Sequence, residues 1–283
     1  MRPCTMRYVA NKVVSAFPAV FAVAFALAAL CGCGNNDYYR PSTGTEEESE
    51  DIFDPASIEY DSIVDVRDGK TYRTVKIGDR WWLAENLNYA ADSSYCYNDE
   101  PDSCAIYGRL YPWTVAMQLD TVYNKLNAVY AEKIKSKHRG ICPSGWHIPS
   151  EKEWKEMIDY ADSHNGNEGA SASMRAKYSW NPNEKYDIKY IDRFGFAGLA
   201  AGARAEKEMR KSDCNYHTGY DDDIYCGVGE EAFFWTSTER MDFRNDSEYA
   251  LYFFLHGLQN DDFRTSEWGE FTKRAALSVR CVK

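Results

Sequence analysis

The chain has 283 residues, 44% of them hydrophobic and 27% charged, and a formal net charge of −11. That length and composition can bury a large core, in one or at most two domains. The acidic balance repels phosphate backbones and anionic lipid surfaces, so nucleic acid is excluded as an expected partner.

Arg2, Arg7 and Lys12 open the chain with positive charge, and Val13 to Leu30 is an uninterrupted apolar run that ends among small residues and cysteines, the pattern of an export signal. The order Leu30, Cys31, Gly32, Cys33 resembles a bacterial lipobox, in which a small residue precedes the cysteine that receives the lipid. Cys33 follows Gly32, whereas Cys31 follows the bulky Leu30, so Cys33 is the expected lipidation site and residues 1–32 the signal peptide. An uncleaved membrane anchor is the alternative reading, since an apolar run of this length can just span a bilayer. Either way the remainder lies outside the cytoplasm, with the membrane as a partner through the anchor. Losing Arg2, Arg7 and Lys12 takes the net charge from −11 to −14. Gly34 is not the Asp that commonly retains lipoproteins at the inner membrane, which points to the outer membrane or cell surface.

Residues 33–62 are poor in apolar side chains and carry Glu46, Glu47, Glu48, Glu50 and Asp51, too little to bury for folding. This segment is expected to be a disordered acidic tether with a reach of roughly 30 Å. The globular region is then 63–283. Its opening reads as a β-meander, with Asp68-Gly69 as a two-residue hairpin turn and Gly78-Asp79 as the next turn before Trp81 and Trp82. Between Tyr111 and Ile134, the spacing of Trp113, Ala116 and Met117 after Pro112 predicts a first helix.

The stretch Ile141 to Trp154 concentrates Cys142, Trp146, His147, Ser150, Glu153 and Trp154. Ser150 and Glu153 have the spacing of a capping box, and Trp154, Met157, Ile158 and Ala161 form one apolar stripe. The residues therefore read as a strand-like piece, a turn and a buried second helix rather than a catalytic centre. Further on, strands are predicted within Phe194 to Arg204, Ala232 to Glu239, Tyr249 to Leu258 and Ala275 to Lys283. The regions Lys177 to Asp192 and Ser212 to Gly229 read as long irregular excursions.

Taken together in this order, "GKTYRTVKIGDRWWLAENLNY", "YGRLYPWTVAM", "CPSGWHIPSEKEW", "GFAGLAAGAR", "FWTSTE" and "ALSVRCVK" resemble the Fibrobacter succinogenes major paralogous domain, a family of exported bacterial proteins. The resemblance implies an α+β, C-type-lectin-like fold related to the sulfatase-modifying-factor superfamily, with two helices, small antiparallel sheets and long disulfide-stapled loops. It implies no activity. With Cys4, Cys31 and Cys33 assigned to the signal, six cysteines remain, and an exported chain uses such an even set as staples. Spacing alone leaves the connectivity open. Short closures on the excursions give Cys96–Cys104 and Cys214–Cys226, and Cys142–Cys281, which the lectin-like resemblance also implies, ties the Trp146 stretch to the last strand.

No cofactor is expected. The five histidines are scattered without zinc spacing. Calcium is the one ion whose oxygen ligands are plentiful, at Asn98, Asp99, Glu100 and Asp102, at Asp221 to Asp223, and in the lectin-like tripeptide Asn181 to Asn183, yet no complete motif accompanies them. Recognition is expected on the excursions, where Trp180, Tyr186, Tyr216, Tyr220 and Tyr225 could stack on sugar rings and Asp221, Asp222 and Asp223 accept hydroxyl hydrogen bonds. The resulting expectation is a non-catalytic, membrane-anchored binding or adhesion module for polysaccharide or a surface protein. A thiol enzyme of the sulfatase-modifying-factor type and a ligand-free envelope component are the alternatives.

Overall fold

Residues 54–165, 169–182, 189–205, 224–240, 248–256 and 268–283 are described by a computed structural model of the chain. Three antiparallel strands, β1 (Tyr60–Val64), β2 (Thr71–Ile77) and β3 (Arg80–Leu83), open it. β1 starts three residues before the boundary expected from composition. Gly78, at φ 59°, and Asp79 form the two-residue turn that closes Ile77 onto Arg80. The first turn is longer than the Asp68-Gly69 pair predicted. Val64 faces Thr71, so the loop spans residues 65–70. The carbonyl of Asp65 accepts from Gly69 N at 2.8 Å, its carboxylate binds Arg67, and Arg67 reaches on to the carbonyl of Ile141 at 2.7 Å.

The second sheet is mixed. β4 (Tyr111–Pro112), β5 (Ala201–Arg204), β6 (Tyr225–Val228), β7 (Glu231–Glu239), β8 (Tyr249–His256), β9 (Trp268–Thr272) and β10 (Ala276–Leu277) run in the order β4-β10-β5-β7-β8-β9, with β6 paired to β5. The pairing of β5 with β7, at Gly202–Ala232, is parallel, as are the isolated bridges Phe234–Ser278 and Arg175–Gly198. β7 is buried along almost its whole length, and its alternating side chains divide the interior. Phe233 and Trp235 face the cluster of Tyr111, Trp113 and Ile148, whereas Ala232 and Phe234 face Trp82, Trp154 and Phe253.

Helix α3 (Glu151–Ser163) covers the second of these clusters with the stripe read from sequence: Trp154, Met157, Ile158 and Ala161 are buried. Its capping box forms as expected, with Glu153 N donating to Ser150 Oγ at 3.3 Å and Ser150 N donating to Glu153 Oε2 at 2.9 Å. Trp154 stacks on Phe253 at 4.5 Å and meets Trp82 at 4.8 Å. The C-terminus closes over this layer. His147 and Val282 exchange backbone hydrogen bonds of 2.9 Å, and Lys283 N donates to Trp81 O at 2.9 Å.

Instead of two helices, the described residues contain four, three of them short: α1 (Pro101–Tyr107), α2 (Trp113–Ala116), α3 and α4 (Ala170–Met174). The helix predicted across Tyr111 to Ile134 is a single turn, because Trp113, Thr114, Ala116 and Met117 are buried on every side of it and Gln118 turns out at φ 52°. β6 occupies the end of the excursion Ser212 to Gly229. Among the described residues, no helix is long and apolar enough to cross a membrane.

Two disulfides join Cys96 to Cys104 and Cys142 to Cys281, the pairs expected. Cys226 is also disulfide-bonded, and Cys214 lies outside the described residues, as do Cys33 and the acidic segment up to residue 53.

Candidate functional site

Past α2 the chain runs from Leu119 to Gly140 with one 3-10 turn, Thr121–Asn124, as its only regular element. Such a segment needs tertiary anchors for its backbone. Asp120 caps the turn by accepting from Val122 N at 2.8 Å, and Thr114 donates to Asn124 Oδ1 at 3.0 Å. The main anchor comes from the sheet. Lys273, just past β9, donates to the carbonyls of Tyr123 at 3.0 Å and Leu126 at 3.1 Å and pairs with Glu239 of β7. The Glu239 carboxylate in turn accepts from Ala128 N at 3.0 Å and Val129 N at 2.8 Å. Both side chains are fully buried, and all three ammonium protons have acceptors. Burial pushes the Lys273 ammonium below its usual value even with Glu239 bound. One buried ion pair thus fixes four backbone groups of a loop that has no ladder of its own.

Held in this way, the loop forms one wall of an open cleft of about 460 Å³, with residues 133 and 135–140 facing Met117, Gln118 and Leu119. This is within the volume range of ligand clefts. The walls are tied at their base. His138 Nε2 lies 2.8 Å from Met117 O, while its Nδ1 accepts from Lys135 N at 3.4 Å. Ile141 N donates to Ala116 O at 2.7 Å. Gly140, at φ 48°, sits so close that a Cβ there would stand 2.3 Å from Ala116 O. Only glycine fits this crossing.

The cleft is basic. Residues 121–140 contain Lys125, Lys133, Lys135, Lys137 and Arg139 against the single carboxylate Glu132, in a chain whose net charge is −11. Lys133, Lys135 and Lys137 are exposed. Arg139 commits its Nε to Cys142 O at 3.0 Å. Away from the cleft the same loop exposes apolar side chains, Leu126 at 50% and Tyr130 at 57%. The sequence marks no site here: the predicted helix covers Tyr111 to Ile134, and residues 135–140 carry no predicted element. The signal was the density of cations, Lys133, Lys135, Lys137 and Arg139 within seven residues of an acidic chain.

The aromatic residues predicted to stack on a ligand fare differently. Trp180 is 8% exposed, with Nε1 donating to Gly198 O at 3.0 Å and its ring stacked on Tyr190 at 6.0 Å. Tyr225 is 7% exposed, its hydroxyl donating to Asp99 at 2.6 Å and its ring 5.2 Å from Tyr97. Burial, and then Asp99, push its phenol well above the usual range. Neither ring has a face to offer, so both leave the candidate set: each fills space under loops that supply few other apolar groups. Tyr186, Tyr216, Tyr220, Asp221, Asp222 and Asp223 lie outside the described residues. Of the lectin-like tripeptide, Asn181 donates its N–H to Gly229 O at 2.7 Å, and Asn183 is outside the described residues. No group of three or more metal-ligating side chains is assembled among the described residues.

In the Trp146 stretch the polar side chains bond one another and their neighbours. His147 is buried and bonds Glu153 at 2.8 Å, and Arg80 lies 3.1 Å from the same carboxylate oxygen. Burial alone would raise the Glu153 carboxyl, but hydrogen bonds from His147 and the Ser150 backbone outweigh it and hold the group at about 2.

Residues 75–283 match the family model described as the Fibrobacter succinogenes major domain. No curated protein and no solved structure matches the chain.

Proposed function

The chain belongs to the Fibrobacter succinogenes major domain family, and on the geometry of its cleft we propose that it is a non-catalytic binding module of the cell envelope, anchored by lipid at Cys33 and holding a polysaccharide or a surface protein. The observation that carries this reading is the cleft between Met117–Leu119 and Lys133–Gly140, an open concavity on an irregular loop that a buried ion pair holds in place. Rigid loops on a scaffold are where recognition concentrates, and a preformed site avoids the entropy of ordering on binding. The C-type-lectin-like fold belongs to the same proposal. Its support is the return of the C-terminus to β3 and the Trp146 stretch, the Cys142–Cys281 closure and the small mixed sheets. Export to the outer membrane or cell surface rests on the signal-like apolar run and Gly34.

An enzyme of the sulfatase-modifying-factor type needs a reactive thiolate. Cys96, Cys104, Cys142, Cys226 and Cys281 are all disulfide-bonded, so that alternative would draw its thiol from outside the described residues.

The test is retention of the full chain on cell-wall polysaccharides and cell-surface extracts, compared with Ser136→Trp. Ser136 is exposed and lines the cleft, so a tryptophan there obstructs it without touching the core. Retention by the wild-type chain and its loss in the variant are expected. Equal retention of both would remove the cleft from the function.

A further inference from the structure

We propose that this cleft is an anion site whose ligand is a carboxylate-bearing polysaccharide; the inference rests on the cleft being the binding face and names what binds there.

The cations of this acidic chain are unevenly paired. Many of those elsewhere on the described surface face carboxylates: Arg73 meets Glu85 at 2.9 Å, Lys76 meets Glu59 at 2.6 Å, and Lys155 meets Asp159 at 2.8 Å, whereas the exposed Lys125 and Lys177 stand singly. Lys133, Lys135 and Lys137 are exposed, share one cleft and have no carboxylate within ion-pair distance among the described residues. Glu132 does not line the cleft. Three like charges gathered without counter-charge repel one another, and a concave surface focuses their field outward. A polyanion laid across them relieves that repulsion and releases bound counterions, whereas the rest of the acidic surface repels it and so confines it to the cleft.

The neighbouring groups are positioning residues. His138 uses both ring nitrogens on Met117 O and Lys135 N, which fixes the backbone that carries Lys135 and Lys137. Arg139 gives its Nε to Cys142 O and stays exposed at the cleft. Three of the four charges there are thus ammonium groups, compact and strongly hydrated, which suit successive carboxylates along a flexible polymer.

An acidic peptide is the competing occupant. Peptides dock by extending a sheet edge, by laying an apolar helix face in a groove or, for acidic motifs, on clusters of arginine, and this cleft has a single arginine among its four cations. Neither wall of this cleft is a strand, and the outer wall is charged. Polysaccharide is accordingly the class the site favours.

The experiment titrates the full chain with polygalacturonate, dextran and poly-glutamate at ionic strengths of about 0.01 M and 0.15 M, between which the screening length falls from ~30 to ~8 Å. The comparison protein is the triple variant Lys133→Gln, Lys135→Gln, Lys137→Gln, checked for an unchanged melting temperature. Polygalacturonate should bind and weaken with salt, the variant should bind it roughly tenfold to a hundredfold more weakly, and dextran should not bind. Dextran binding as tight as polygalacturonate would overturn the anion assignment, and its loss in Ser136→Trp would leave the binding-face reading standing. Poly-glutamate binding at least as tight as polygalacturonate would transfer the site to acidic peptides. A triple variant that binds polygalacturonate as wild type would place the anion elsewhere, and binding of none of the three polymers would likewise overturn the inference.

Discussion

Lys273→Met is the sharpest perturbation of the loop that builds the cleft. Methionine keeps the apolar stem and removes the ammonium, which strands the fully buried Glu239 carboxylate and orphans the carbonyls of Tyr123 and Leu126. Breaking one side of a buried ion pair costs about 3–5 kcal/mol. For a folded region of this size each kcal/mol lowers the melting temperature by about 2–4 °C, so a fall of about 6–20 °C is expected in calorimetry of the oxidised protein. Glu239→Leu added to Lys273→Met should cost less than the two single changes together, because the second removes the charge that the first stranded. Hydrogen exchange reads the same event locally: the amides of Ala128 and Val129, which donate to Glu239, should lose protection in Glu239→Leu. A melting temperature for Lys273→Met within about 2 °C of wild type, or strict additivity in the double variant, would refute the anchoring role.

Trp154→Ala removes a ring packed against Trp82 at 4.8 Å, Phe253 at 4.5 Å and Phe234 at 5.5 Å, and should cost about 3–5 kcal/mol in denaturant unfolding. Opening the Cys142–Cys281 disulfide, whose residues are 139 apart, should cost about 5 kcal/mol, against about 2.6 kcal/mol for Cys96–Cys104 at a separation of 8, so Cys281→Ser should unfold first in a urea series. Two carboxylates set opposite pH slopes. Glu153, held at about 2 against 4.5 for the free group, contributes stability that is complete above pH 4.5 and lost as the pH falls through about 2, and Glu153→Gln should remove that acid limb. Glu231, raised to about 7 by burial and then by Glu230, contributes stability that is complete below pH 4.5 and lost as the pH rises through about 7, so Glu231→Gln should flatten that decline in melting temperature. Cys33→Ala should abolish labelling by a lipid analogue, and unchanged labelling would contradict the lipid anchor.

What was legible in the sequence was local. The capping box at Ser150 and the stripe through Ala161 specify α3 within fourteen residues, and the apolar runs of β7 and β8 declare themselves as buried strands. The Leu119–Gly140 segment was illegible for the opposite reason. The spacing of Trp113, Ala116 and Met117 just before it suggests a helix, but its conformation is set by Glu239, which bonds Ala128 across 111 residues, and by Lys273, which bonds Tyr123 across 150. No window read along the chain contains those partners. α1 was hidden because it starts in the acidic Cys96–Cys104 loop and runs through Cys104, although Pro101 stands at its first turn as a helix start allows. Trp180 and Tyr225 misled because their polar neighbours looked like loop surface, whereas the fold buries both rings against the sheet and its loops.

Hydrogen exchange of the full chain with and without bound polygalacturonate locates the binding face most directly. Protection confined to the amides of 117–119 and 133–140 is expected. Protection of 183–188 or 206–223, with the cleft amides exchanging unchanged, would contradict the assignment of function to this loop.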